Sequence, residues 1–260
     1  MEHIFKKKYG QNFIRDQKLL EAIVVGSGIS GDSFVIEIGA GAGALSEVLA
    51  QKAKAVISFE IDTDLKEHLQ NIEKNYNNLK FVFEDFMKVD ILKYTGGRPF
   101  CVVANLPYYI TTAIISKLID YLPQSMTIMV QKEVADRISA PPKTSAYGAM
   151  SVICQSVASV KTLINVPRSF FYPVPDVDSC VLHFDFYGNK IEKEFVDFLH
   201  ICFAAKRKTL VNNLTNGFGI KKNDAENLLI ELEINKNARA EELSAKEFKK
   251  LFEMAKELKN

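Results

Sequence analysis

The sequence has almost no net charge. Its 33 basic residues stand against 32 acidic ones, leaving +1 at neutral pH. The chain is therefore no general polycation, and nucleic-acid binding requires its basic residues to be sorted onto one face. Cysteine is scarce: Cys101, Cys154, Cys180 and Cys202 lie far apart among apolar neighbours, with no C-x-x-C. That pattern excludes a disulfide framework and a thiolate zinc site, and suits free thiols in a reducing cytoplasm. Histidine is equally sparse. His3, His68 and His200 have no metal-type spacing, and His183 alternates within a strand pattern as a core histidine does, so no metal is expected. No basic segment followed by an apolar one opens the chain in the manner of a secretory leader. The longest uncharged stretch, Pro99 to Ser116, is interrupted by Asn105, Pro107, Thr111 and Thr112, which argues against a membrane span. Repeats and low-complexity tracts are missing too. What remains is an ordinary soluble composition, 47% hydrophobic and 25% charged over 260 residues. That is enough for one large α/β domain and a small appendage.

The strongest pattern is a series of apolar runs that end in small or polar residues. Ser33 to Gly39 reads as a strand running into Gly39-Ala-Gly41-Ala-Gly43 and then a helix from Leu45. Glycines there permit a tight turn and a close approach of backbone to ligand, with a helix N-terminus behind it. The spacing is G-x-G-x-G rather than the dinucleotide G-x-G-x-x-G. Ala55 to Glu60 is the next strand, and its terminal acid comes roughly 20 residues after Gly39, where a carboxylate accepts ribose hydroxyls. Leu79 to Asp85 is the third, ending in an acid able to accept from an adenine amino group. Met126 to Gln131, Leu163 to Val166 and Asp178 to Phe186 complete the strand series. Asp62 and Asp64 read as caps of the helix that follows.

Between these lies the run Phe100 to Ala104, which stops at Asn105-Leu106-Pro107-Tyr108. A continuous hydrophobic run of this kind is a parallel strand buried on both faces, and ligands sit beyond the carboxyl ends of such strands. Asn105 offers an amide oxygen and Leu106 a carbonyl as acceptors. Pro107 fixes the turn and contributes no competing donor, and Tyr108 supplies a flat face. Two acceptors beside an aromatic plate suit a planar group bearing an amine. Taken alone, the tetrapeptide also fits a strand-terminating turn. Four strands ending in Gly39, Glu60, Asp85 and Asn105 favour a ligand site.

The flanks are of another character. Residues 3–17 form a basic, aromatic-interleaved arm in which Lys6, Lys7 and Lys8 either neutralise phosphate or are simply solvated. A Pro-punctuated loop, Pro167 to Pro175, holds aromatics including Phe171. After Tyr187 the texture becomes helical and charge-rich, with helices expected over Glu192 to Leu210, Asn223 to Ile234 and Ser244 to Leu258. Two domains are expected, 1–187 and 188–260. At the foot of the first of these helices stands Lys206-Arg207-Lys208, either a favourable placement of cations at a helix end or a phosphate clamp.

These residues carry a resemblance. Tyr9-Gly-Gln-Asn-Phe, Glu37-Ile-Gly-Ala-Gly-Ala-Gly, Asn105-Leu-Pro-Tyr, Val130-Gln-Lys-Glu-Val-Ala-Asp-Arg, Tyr147-Gly-Ala-Met-Ser-Val and Phe171-Tyr-Pro-Val-Pro-Asp-Val-Asp-Ser occur in order, followed by Lys206-Arg-Lys-Thr-Leu. Along nearly its whole length the chain resembles the ribosomal RNA adenine N6,N6-dimethyltransferase family, the small-subunit enzyme linked to kasugamycin sensitivity. The resemblance implies an α/β methyltransferase fold: a Rossmann-like, mostly parallel seven-stranded sheet with a reversed final strand, and a small all-helical C-terminal domain. It implies S-adenosylmethionine as cofactor, with Asn12 and Ile14 over it, Gly39 and Gly41 under it, Glu60 on its ribose and Asp85 on its adenine amine. Position 14 usually holds Leu in the family. Asn105 lies between cofactor and substrate, and Tyr108 with Phe171 sandwiches a base that has left its stack. The implied reaction is dimethylation of two adjacent adenines in the 3′-terminal hairpin of 16S rRNA, within a pre-ribosomal particle. A cytoplasmic monomer is expected, with RNA held by Lys6–Lys8 and Lys206–Lys208. The alternatives are the large-subunit methylase of macrolide-resistance type, which shares the Asn-x-Pro-Tyr box, and a non-catalytic assembly factor on the same fold. A nicotinamide dehydrogenase would instead bind NAD.

Overall fold

The computed structural model describes residues 13, 14 and 16–258. The strands are β1 (Phe13–Ile14), β2 (Phe34–Ile38), β3 (Ala55–Phe59), β4 (Leu79–Val82), β5 (Cys101–Asn105), β6 (Ser125–Gln131), β7 (Ala158–Val166), β8 (Phe171–Tyr172) and β9 (Ser179–Phe186). The helices are α1 (Gln17–Gly26), α2 (Ala44–Lys52), α3 (Lys66–Glu73), α4 (Leu92–Thr95), α5 (Thr111–Tyr121), α6 (Lys132–Ser139), α7 (Ala149–Val157), α8 (Lys193–Cys202), α9 (Leu210–Asn213), α10 (Lys222–Glu231) and α11 (Ala245–Glu257).

Seven strands form one sheet in the order β4-β3-β2-β5-β6-β9-β7. Neighbours from β4 to β6 run parallel, and β9 is antiparallel to β6. The continuous apolar runs of β2 and β5 become its middle because helices cover both faces, and Val35, Ile36, Val102 and Val103 are fully buried. Register brings the ends of β2, β3 and β5 to one edge. Asn105 faces Met129 of β6, while Ser179, opening β9, faces Gln131. The antiparallel course of β9 carries Tyr187 to the opposite edge. Between β6 and β9, the His183 ring is satisfied on both sides, with Thr127 Oγ1 2.7 Å from Nδ1 and Asp185 Oδ1 2.9 Å from Nε2. It is a core histidine, as its alternating strand position predicts.

The structure adds an element that the sequence does not announce. Phe13 pairs with Tyr172 and Ile14 with Phe171 in a two-stranded antiparallel ladder. Two residues per strand are too few to leave a periodic signal.

The chain divides into two units, residues up to 135 with 161–188, and residues 136–160 with those from 189 onward. This differs from a single cut near residue 187. Tyr147, fully buried, sets its ring edge-on to Phe203 at 6.2 Å, and Lys143 N–H donates to the Glu241 carbonyl. These contacts join residues 136–160 to the helical segment. The core of this second unit is aromatic: Phe198 packs on Phe218 and Phe252, and Phe203 on Phe248. Its last helix starts at a capping box, in which Ser244 and Glu247 exchange hydrogen bonds. Helix α8 stops at Cys202, well short of Leu210, so Lys206–Lys208 lie in a turn between α8 and α9 rather than at a helix foot. The Asn213 amide, 6% exposed, ties that turn by donating to the Cys202 and Ala205 carbonyls.

Candidate active site

At the edge where β2, β3 and β5 end, the first unit opens into a cavity of about 110 Å³. Two turns make most of its wall, Gly39 to Leu45 and Asn105 to Tyr109. Gly39 follows β2, and its N–H bonds the Phe59 carbonyl of β3. A Cβ placed on Gly39 would stand 3.6 Å from the backbone oxygen of Asn105, so the two turns nearly touch. Gly41 has φ +55° and points an N–H at Glu60 Oε2, 2.8 Å away. A side chain there would meet the Phe13 ring at 2.8 Å. Gly43 (φ +85°) then caps α2, whose first residues face the cavity. From the outer side, His68 Nε2 lies 3.1 Å from the Ala42 carbonyl and steadies the loop.

Two buried acids line this wall. Glu60, 5% exposed, accepts from Gly41 through one oxygen and from the Asp62 N–H through the other. Burial raises its pKa, while those backbone donors pull it down. Glu37, fully buried within β2, hydrogen-bonds Ser46 through Oε2, and its Oε1 has no hydrogen-bond partner. Burial pushes the Glu37 carboxyl up to about 8, with Ser46 and the facing Ser58 opposing and the nearby Glu60 charge assisting. A protonated carboxyl avoids the cost of an unpaired charge in this buried setting. Glu37 is a site residue that sequence reasoning missed, although an acid inside an otherwise apolar strand just before the glycines was the signal.

The second turn is held as stiffly. The β5–β6 ladder continues past Asn105, since Leu106 N–H donates to the Met129 carbonyl at 3.1 Å. Pro107 (φ −60°) uses its carbonyl to accept from Thr111 Oγ1 and Ile110 N–H, starting α5. The half-buried Tyr108 ring is fixed at its hydroxyl, 2.6 Å from Ser179 Oγ, and burial raises its pKa.

Of the residues picked from the sequence, Ile14, Gly39, Gly41, Glu60, Asn105, Leu106, Pro107 and Tyr108 all line this cavity. Asp85 does not. Its Oδ1 accepts from Met87 N–H as the cap of a short helical turn, and Oδ2 is 3.7 Å from Lys88 Nζ. Phe171 is a correction. At 3% exposure it packs into the sheet core beside Ile14, so it presents no face to a base; strand pairing turns it inward and leaves Phe170 and Tyr172 outside. Lys206, Arg207 and Lys208 are exposed, and Lys206 Nζ contacts the Ser145 carbonyl. Lys6, Lys7, Lys8 and Asn12 lie outside the described residues. Among the described residues no cluster of metal-ligating side chains exists, and no helix is long and apolar enough to cross a membrane.

Known proteins match nearly the whole of this chain. The sequence pattern of the family described as ribosomal RNA adenine dimethylase matches residues 2–257. The chain is 42% identical over 256 residues to ribosomal RNA small subunit methyltransferase A of Caldanaerobacter subterraneus subsp. tengcongensis, covering 95% of each. It is also 42% identical over 258 residues to the protein of that name from Oceanobacillus iheyensis, covering 94% of this chain and 88% of the other. Among solved structures, a dimethyladenosine transferase from Plasmodium falciparum aligns at a TM-score of 0.79 and 28% identity, over 92% of this chain and 95% of that one. The 23S rRNA methyltransferase ErmE aligns at 0.74 and 25% identity, over 94% and 100%.

Proposed function

The chain belongs to the ribosomal RNA adenine dimethylase family, and from that membership we propose how its cavity works: it binds S-adenosylmethionine and positions adenines of small-subunit ribosomal RNA for N6,N6-dimethylation. The carrying observation is one wall that joins the Gly39–Gly43 turn, two buried acids and Asn105-Leu-Pro-Tyr108. The residues fit the cofactor. Gly41 keeps the turn's backbone bare of a side chain at the cavity wall, and Glu60 beside it suits ribose hydroxyls. When bound, S-adenosylmethionine supplies an electrophilic methyl group carried on a sulfonium.

The protein's own residues do the rest. An adenine N6 lone pair is delocalised into the ring and attacks poorly. Acceptance of N6–H by Asn105 Oδ1 and by the Leu106 carbonyl favours a pyramidal nitrogen with its lone pair aimed at the methyl carbon. Tyr108, braced by Ser179, provides the face against which the extruded base stacks. The alkylated nitrogen is acidic and releases its proton to solvent, so no strong base is required. Catalysis rests on positioning and electrostatics. The substrate is the pair of adjacent adenines in the 3′-terminal hairpin, reached in a pre-ribosomal particle in the cytoplasm by a single copy of the chain. The exposed Lys206–Lys208 turn holds RNA backbone. Likeness to ErmE supports a second reading, methylation of large-subunit RNA; identity to small-subunit relatives over nearly the whole chain favours the first. Calorimetry tests the cofactor assignment directly: binding of S-adenosylmethionine and not NAD is expected, and the reverse would refute it.

A further inference from the structure

Two exposed tyrosines outside the assigned machinery stand by this cavity, one on its lining and one paired with a lining residue. Tyr109 lines it and is 56% exposed. Tyr172 is 48% exposed and is paired directly with Phe13, which lines the cavity and covers Gly41. Directly paired residues of an antiparallel ladder share a face, so Tyr172 is turned to the side of Phe13, away from the buried Ile14–Phe171 pair. Both rings sit on backbone held by other bonds. Tyr109 belongs to the turn pinned by Pro107, Thr111 and the Tyr108–Ser179 contact. The loop carrying Tyr172 is closed by Arg168 N–H donating to Asp178 Oδ1 at 2.9 Å and by Arg168 Nη1 donating to the Asp176 carbonyl.

We infer that Tyr109 and Tyr172 form a stacking platform beside the cavity for the single-stranded nucleotides flanking the target adenine. This rests on the reading of the cavity as a site of adenine methylation. RNA loops are recognised by splaying bases onto aromatic faces, and such stacking is tolerant of sequence. Rings carried on held backbone lose less freedom on binding than rings on a mobile loop would. Two exposed rings on separate segments, one lining the cavity and one beside its Phe13 wall, fit a strand that delivers one base inward and leaves its neighbours outside. A protein helix laid over both would close the entrance.

The test is equilibrium binding of the full-length protein to an RNA hairpin whose loop contains two adjacent adenines, over a range of salt. Tyr109→Ala and Tyr172→Ala should each weaken RNA binding about five- to tenfold, equally at low and high salt, because no phosphate contact is lost. Tyr109→Phe and Tyr172→Phe should retain wild-type affinity. Tyr172→Ala should bind S-adenosylmethionine as the wild type does. Tyr187→Ala, more exposed at 62% but at the opposite sheet edge, should bind RNA normally. RNA affinity unchanged in both alanine variants would overturn the proposal and leave the rings to a protein partner. So would a loss at Tyr187 of the same size, or a Tyr172→Ala defect confined to the cofactor. Wild-type protein that takes up S-adenosylmethionine but neither binds nor methylates the hairpin would instead remove the functional reading beneath it.

Discussion

Glu37 concentrates the electrostatics of the site in one side chain. Burial holds its carboxyl near 8 in the folded protein, against 4.5 for an ordinary glutamate. Between those values the native state binds the proton and the unfolded chain does not, so stability falls as pH rises across that window. The contribution is fully present below about 4.5 and lost as pH passes about 8. Glu37→Gln keeps the shape without the ionisation. Urea midpoints measured from pH 5 to pH 8 should therefore decline less for the variant than for the wild type; equal slopes would contradict the assignment. At this scale the sequence was legible where chemistry coincides with a strand end, as at Gly39, Glu60 and Asn105. It misled at Phe171, whose exposure depends on pairing with Ile14, far off in the chain. It understated Glu37, because strand periodicity alone does not say that a buried acid faces a cavity.

At the scale of elements, the glycine turn has to satisfy both the cavity and the helices behind it. A Cβ on Gly43 would lie 2.7 Å from Ile72 Cδ1 and 3.1 Å from Leu69 Cδ2, at a φ of +85° that side chains rarely adopt. Gly43→Ala should cost about 1–3 kcal/mol of stability, read as a lower urea midpoint with unchanged m-value. The strands of the main sheet were readable because β2, β3 and β5 are apolar runs closed by distinctive residues. The β1–β8 ladder was not, being held by pairing rather than by any local pattern. The end of α8 was misjudged for a related reason: the residues after Cys202 are good helix formers, and a buried Asn213 amide capturing the Cys202 and Ala205 carbonyls stabilises a turn instead.

At the scale of the whole molecule, near-zero net charge means that RNA attraction must be local. Lys206, Arg207 and Lys208 are such a local cluster. Replacing all three by Ala should weaken RNA binding and lower the slope of log affinity against log salt by about two to three. An unchanged slope would mean that the cluster merely occupies a turn. The two-unit division was only partly legible, since the change of texture after Tyr187 is visible in the sequence. The allegiance of residues 136–160 depends on contacts distant in sequence, such as the Tyr147–Phe203 ring pair and the Lys143–Glu241 hydrogen bond.

The central claim is a pocket that presents an adenine amine to a methyl donor at Asn105. It is tested most directly by mass mapping of methylated adenines after incubating purified small and large subunits from an unmethylated strain with S-adenosylmethionine and the protein, alongside Asn105→Ala. The account predicts dimethylation of two adjacent adenines in the small-subunit terminal hairpin, with the variant slower by about 10²–10³-fold. Product on large-subunit RNA alone, or turnover by Asn105→Ala equal to the wild type, would contradict it.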